Sequence, residues 1–326
     1  MSSTSTKLKE RTEIKTRQRA GHGAKSGQQS HTPLEKKENI AGYVFLLPWF
    51  VGLIVFMAGP VLSSLYLSFT NFNLIGAPQW TGIQNYITML HDPNWWAAVR
   101  VTLIYVVVSV PLKIIFALLI AMLLKQGLYG LGLFRAVYYV PSLLGGSVAI
   151  ALLWRELFDT NGVVNQALNA IGIHITTSWI SNPHYALATL IILSIWQFGS
   201  PMLIFLAGLK QIPPEYYEAA ATDGANAFRK FFTITVPMIT PIIFFNMVLQ
   251  MVGAFQAFTP AYVVSDGTGG PLNTTLFYTL YIYQEGFGLL HMGYASAMAW
   301  GLLVAIAVFT SLAFLSSRYW VFYQDR

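Results

Sequence analysis

Residues 206–241 read LAGLKQIPPEYYEAAATDGANAFRKFFTITVPMITP, and the way this stretch folds decides how the rest of the chain is arranged. It lies where two runs without Asp, Glu, Lys or Arg give way to charge: Thr160–Leu209 ends at Lys210, and Phe231–Ser265 begins after Lys230. Pro213 and Pro214 suit the first turn of a helix, where a missing N–H costs nothing, and Glu215 and Glu218 complement the positive end of the helix dipole. Gly224 falls where that helix needs a C-cap. A second amphipathic stretch follows, with Phe228, Phe231 and Phe232 on one side and Arg229 and Lys230 displayed, and it leads into Pro237. By pattern alone this is a short helix lying beside a membrane, ended by a sharp bend and anchored by aromatics, and a plain interfacial amphipathic helix would fit it equally well.

The runs on either side set the fold class. Only 10% of the 326 residues are charged and 55% are hydrophobic, too few charges to cover a soluble domain of this size. Charge-free runs recur at Ala41–His91, Ala136–Trp154, Thr160–Leu209, Phe231–Ser265 and Gly286–Ser317, and Val101–Leu124 is interrupted only by Lys113. A bilayer core takes about 20 apolar residues per helix, so each supplies one span. The expectation is an all-α polytopic membrane protein with six transmembrane helices, near 42–68, 100–124, 135–155, 184–208, 236–260 and 293–316.

Basic residues then orient the spans. Nine of the 19 Lys and Arg precede residue 40; with Lys125, Arg135, Lys210, Arg229, Lys230, Arg318 and Arg326 they make sixteen on one side. Both termini are therefore expected in the cytoplasm. The net charge of +6 is read as topology and not as a nucleic-acid surface. Residues 1–39 read as a disordered or at most partly helical tail, and not as a signal peptide, because the positive region is too long and the apolar segment after it has no A-x-A site. The fragment GHGAKSG at 21–27 has Ala24 where a phosphate-binding loop needs glycine, and no strand precedes it.

With no cysteine, disulfides and thiolate metal sites are excluded. His91, His174, His184 and His291 fall in outer loops without the spacing of a helical metal site. Asn71, Trp80, Asn85, Trp95, Trp96, Trp179, Tyr278, Tyr281 and Tyr283 also lie there, and an interfacial aromatic belt explains the rings among them. A membrane enzyme would need a catalytic constellation at depth, and an ion-coupled transporter intramembrane acids; the spans hold neither. Lys113 is the lone charge well inside a span. It reads as a coupling or substrate residue, or as a lysine that snorkels or finds a polar partner near Pro111.

Glu218-Ala219-Ala220, three residues, Gly224, nine residues, Ile234, one residue and Val236-Pro237 resembles the EAA loop of binding-protein-dependent ABC import permeases, with Val236 where that family usually has Leu. LPWFVGLIVFMAGPVLSSLYLSFTNFNL (47–74), TGIQNY (81–86), FLAGLKQIPPEYYEAAATDGA (205–225), and GGPLNTT with MGYASAM (269–298) are similar to the carbohydrate-uptake subfamily of the maltose and glycerol-3-phosphate permeases. The resemblance covers about residues 40–320, the permease domain, with its coupling loop near 210–237; residues 321–326 are left as a cytoplasmic end. It implies the type I ABC importer permease fold in a bacterial or archaeal inner membrane, without the additional N-terminal spans and large outer domain of the larger maltose permease subunit.

Carried onto this chain, the resemblance makes Glu218 the charged contact with a cytoplasmic ATPase, lets Ala219 and Ala220 approach it closely, and gives Gly224 the turn; Ile234 and Pro237 complete the motif. It implies no cofactor in this chain, with ATP and magnesium used by the ATPase partner. It also implies a second homologous permease, two ATPase copies and an extracytoplasmic solute-binding protein. A sugar site calls for amides beside aromatics and small residues. Asn246, Gln250 and Gly253 share one helix face, and Trp196, Gln197, Gly199 and Ser200 sit near a distortion expected at Pro201; relatives bind substrate in these two regions. The same residues would also serve as packing between helices. An anionic cargo would favour a cation facing the cavity, for which Lys113 is the only candidate. A single cysteine placed in the tail of this cysteine-free chain is expected to resist an impermeant thiol reagent in intact cells; labelling without lysis would reverse the topology.

Overall fold

The computed structural model describes residues 33–125 and 130–322; the tail expected to be disordered lies, up to residue 32, outside them. The chain divides into two compact units, residues 1–61 and 62–326. In the first, α1 (Pro33–Gly52) widens into a π-helical turn, Leu53–Ala58, in which the Gly59 N–H reaches Ile54 O. Pro60 has no N–H to offer the preceding turn, which accounts for the widening there. α2 (Gly59–Ser68) leads into the second unit, and Tyr43–Ser68 is apolar enough to cross a bilayer.

The regular secondary structure of the second unit, among its described residues, is helical apart from a β-bridge between Thr70 and Trp80. Its elements are α3 (Gln84–His91), α4 (Pro93–Lys125), α5 (Leu131–Leu144), α6 (Val148–Leu157), α7 (Val163–Ala170), α8 (Ala186–Trp196), α9 (Gly199–Gln211), α10 (Pro214–Thr222), α11 (Ala227–Lys230), α12 (Val236–Phe255), α13 (Thr259–Val264), α14 (Tyr278–Tyr283) and α15 (Met292–Trp320). Only a helix satisfies its own backbone in lipid, which is why every apolar run takes this form. α4 is the hub: it packs on α8, α9 and α12. Ala98, Ala117 and Ala121 on α4 are fully buried, in one core cluster with Leu193, Met202, Phe205, Leu209 and Ile239.

Four helical stretches, 43–68, 93–125, 227–255 and 292–320, have the length and composition of membrane spans. Two bent pairs, α5 with α6 and α8 with α9, bring the number to six when each is counted as one span. The expected all-α polytopic architecture, with up to six spans, is thus in place. The span expected at 135–155 is formed by two helices meeting at 98°. Pro141 weakens the helix from within, Gly145 and Gly146 let the chain turn, and Ser147 starts α6 by accepting the Ile150 N–H at 3.3 Å. The span expected at 236–260 starts earlier, as a continuous helical path from Ala227 through a π turn at Phe231–Thr235, and ends at Phe255.

Several loop aromatics have specific partners beyond an interfacial belt. Trp95 Nε1 donates to the Tyr278 hydroxyl at 2.8 Å, which in turn donates to Met298 O at 3.0 Å. Tyr281 and Tyr294 both donate to Asp92 Oδ2, at 2.5 and 2.8 Å, while the Asn94 N–H donates to its Oδ1 at 2.8 Å. Asp92 therefore caps α4 and ties it to α14 and α15. Burial alone would raise its pKa, but these hydroxyl and backbone donors hold the carboxyl below the ordinary carboxylate value.

A carboxyl depressed by folding stabilises above its unfolded pKa of about 4, and that contribution is lost as pH falls through the lower folded value. Asp92→Asn is expected to cost roughly 1–3 kcal/mol at neutral pH. Thermal unfolding of wild type and variant, measured from pH 7 down to 3, should show a gap that holds to about pH 4 and narrows only below it.

Candidate functional site

The two bent pairs are fastened to each other. Pro201, in the first turn of α9, has no N–H for the Gln197 carbonyl four residues back. The Ser142 hydroxyl on α5 supplies the missing donor at 2.9 Å, and the same oxygen accepts the Ser200 N–H at 2.9 Å. Gly199 makes this approach possible, since a Cβ there would lie 2.4 Å from Tyr138 O. The Gln197 side chain then reaches across the α5–α6 break, its Nε2 donating to Gly145 O at 3.0 Å. A Cβ on Gly145 would fall 2.3 Å from Gln197, so this glycine is required by the contact.

Beside this junction lies a polar cavity of about 310 Å³. Tyr105 and Lys113 of α4, Ser194 and Gln197 at the end of α8, Gln250 and Gly253 of α12, and Gln256 and Phe258 beyond it form its walls together with Gly145 and Gly146. Among the described residues, Gln250 and Gln256 have no side-chain hydrogen-bond partner, so both amides are available to a ligand.

Of the residues singled out from sequence, Gln197, Gln250 and Gly253 come together here, and Lys113 joins them. Trp196 turns towards α6, with its ring 5.9 Å from Trp154. Gly199 and Ser200 serve the junction. Asn246 is fully buried and outside the cavity wall; its amide donates to Ile242 O at 3.2 Å and its Oδ1 has no partner. About two turns nearer Pro237 than Gln250, α12 closes onto α9: a Cβ at Gly208 would lie 1.8 Å from Ile242 Cδ1. Gln256 and Phe258 were not anticipated, because the expected span ran through them as ordinary helix.

At the far end of α9 stands α10. Pro214 occupies its first turn and Gly224, at φ +75°, ends it: the Ala225 N–H bonds Ala220 O at 2.9 Å and the Gly224 N–H bonds Ala221 O at 3.0 Å. Asn226 restarts the helix by accepting the Arg229 N–H at 2.8 Å. Glu218, Ala219 and Gly224 are exposed; Ala220, Ile234 and Pro237 are partly buried. A further residue missed by sequence reasoning is Tyr217, on the opposite side of α10 from the exposed Ala219. Its hydroxyl lies 3.0 Å from Thr235 Oγ1 and accepts from Lys125 Nζ at 3.4 Å, and the Lys125 ammonium sits 4.5 Å above its ring. A second tyrosine beside Tyr216 in a helix of this length was the available signal.

Broken apolar helices around a polar cavity, with a short amphipathic helix held at the base of the bundle, have the build of a membrane transport subunit. Residues 124–326 match the family described as "Binding-protein-dependent transport system inner membrane component". A probable ABC transporter permease of Bacillus subtilis, YesP, is 48% identical, covering 94% of this chain and 99% of its own length. The lactose transport system permease LacF of Rhizobium radiobacter is 34% identical over 89% of this chain and 98% of its own. A chain of a bacterial alginate ABC transporter crystal structure superposes with a TM-score of 0.73 at 23% identity, over 86% of this chain and 95% of that one. The chain belongs to the family of binding-protein-dependent transport system inner membrane components: it is a multi-pass permease subunit of an ABC importer.

Ser142→Ala is expected to leave the part-buried Gln197 carbonyl and Ser200 N–H without this partner, at a cost of about 1–3 kcal/mol. Gly199→Leu should do more, by forcing α5 and α9 apart. Thermal unfolding of the purified subunit would order them as wild type, S142A, G199L in falling midpoint; equal midpoints would remove the junction from any structural role.

Proposed function

We propose that this chain forms, with a second homologous permease, the translocation pathway of an ATP-dependent importer for a sugar or oligosaccharide. Six spans make one half of a pathway that opens alternately to each side, and the second half comes from the partner permease. Two copies of an ATPase supply ATP hydrolysis with magnesium, and an extracytoplasmic solute-binding protein delivers cargo. Both termini lie in the cytoplasm, with residues 1–39 as a tail, 40–320 as the permease and 321–326 as a short end. The lactose system to which one relative belongs supports a carbohydrate cargo, as do the free amides and the Phe258 ring of the cavity wall.

The observation that carries the reading is the way α10 is mounted. One side is fastened through Tyr217 to Lys125 of α4 and to Thr235 below α12, while Glu218 and Ala219 remain exposed. A helix fixed to two spans on one side and open on the other is suited to passing a partner's movement into the membrane. Glu218 supplies the charged contact, Ala219 and Ala220 allow close approach, and Gly224 fixes the turn.

Gly224→Val puts a β-branched residue at φ +75°, which L side chains rarely adopt. Glu218→Lys inverts an interfacial charge, a change worth about 2–5 kcal/mol where that charge is paired. Both variants are expected to insert normally but to lose co-purifying ATPase, or to lose stimulation of its activity by loaded binding protein. Wild-type retention and stimulation in both would remove α10 from coupling.

A further inference from the structure

We propose that Lys113 recognises a carboxylate on the cargo, and that the substrates of this importer are oligosaccharides carrying a uronic acid. The proposal rests on the reading of the cavity as part of the transport pathway and names what that cavity selects.

Among the described residues that line the cavity there is one cation and no anion. Lys113 lies on it with the amides of Gln197, Gln250 and Gln256, the hydroxyls of Tyr105, Ser194 and Thr259, and the ring of Phe258. Among the described residues Lys113 forms no salt bridge; the ion pairs found are Arg155 with Asp266 and His291 with Glu285. It stands twelve residues before Lys125, about 18 Å along α4, too far for its stem to bring the ammonium to that end of the helix. Towards the other end, twenty residues separate it from Pro93. Snorkelling therefore does not account for it. A lysine held inside a span without a counterion is costly unless something else pairs with it, and here the polar cavity is what it faces.

The lining also indicates which anion. A phosphate monoester carries a charge of roughly −1.5 to −2 and is matched best by arginine forks or several donors, whereas a single lysine, with no arginine on this wall, balances one carboxylate. The glutamine amides each offer a donor and an acceptor, as the hydroxyls of a pyranose require, and Phe258 offers a flat apolar face for the ring. One charged contact among neutral ones suits a chain of sugars with an acid at a fixed position.

The test uses the complete importer, with its ATPase and binding protein, in proteoliposomes. The probes are partial hydrolysates of pectate, alginate and glucuronoxylan, each compared with the same mixture after its carboxyl groups have been reduced to alcohols, and glucose 6-phosphate run in parallel. Wild type is expected to take up acidic oligosaccharides from at least one hydrolysate. Lys113→Met should lower that uptake tenfold or more with normal assembly, a loss severalfold greater than any it causes for the reduced mixture, and Lys113→Arg should restore part of it. No acidic uptake by wild type, an unchanged rate in Lys113→Met, or an equal loss for acidic and reduced cargo would each overturn the proposal. Lys113-dependent uptake of the sugar phosphate alone would overturn it in favour of a phosphate site. Gln250→Ala separates the two levels of the argument: it should depress acidic and neutral uptake alike. If it depresses neither, the cavity is not in the pathway and the underlying reading fails, whatever Lys113 does.

Discussion

A proline in a membrane helix leaves one carbonyl without a donor, and lipid offers none in its place. In this chain Pro201 creates that vacancy at Gln197, and the Ser142 hydroxyl fills it from another helix. Because the same hydroxyl accepts the Ser200 N–H, it stands in for the helix on both sides of the break. The defect thus becomes a joint between two bent spans. With the backbone closed at that point, the Gln197 side chain is free to bridge to Gly145, and the cavity lies beside the contact so made.

The distribution of paired and unpaired amides follows from that joint. Gln197 lines the cavity yet is committed to Gly145, so it shapes the wall as much as it faces the interior. Gln250 and Gln256 line the same cavity without protein partners, and Asn246 is buried with one end satisfied by its own helix. Three amides that look alike in the sequence, at 246, 250 and 256, therefore have different standing. An amide that glues helices must be bonded across them, and an amide meant for a ligand must be left open.

The apolar runs were legible because lipid tolerates so little charge that composition alone marks a span. Pro213, Pro214 and Gly224 were legible for a related reason, since each restricts the backbone locally and needs no tertiary information. The 98° bend between α5 and α6 was not. Gly145 and Gly146 permit a turn but do not require one, and the Gln197 side chain that bonds Gly145 at that turn comes from 52 residues further on. The same holds for Asp92, which receives Tyr281 and Tyr294 from nearly two hundred residues away. Trp95 and Tyr278 read as belt residues because their composition matches an interface, while their hydrogen bonds depend on pairings no local pattern encodes.

Helix α4 connects what the two ends of the molecule do. At one end Asp92 caps it and draws in α14 and α15; at the other Lys125 lies over the Tyr217 ring of α10; between them Tyr105 and Lys113 face the cavity. Close packing through Ala98, Ala117 and Ala121 leaves this helix little freedom to bend on its own. Under the coupling role proposed for α10, a push on that helix would reach the cavity wall through α4, whose packing confines it even at Pro111, while the α5–α6 and α8–α9 joints would supply the places that give. Rigidity in α4 and discontinuity in its neighbours are complementary requirements, since a cavity in which every wall moved together would change position without changing shape.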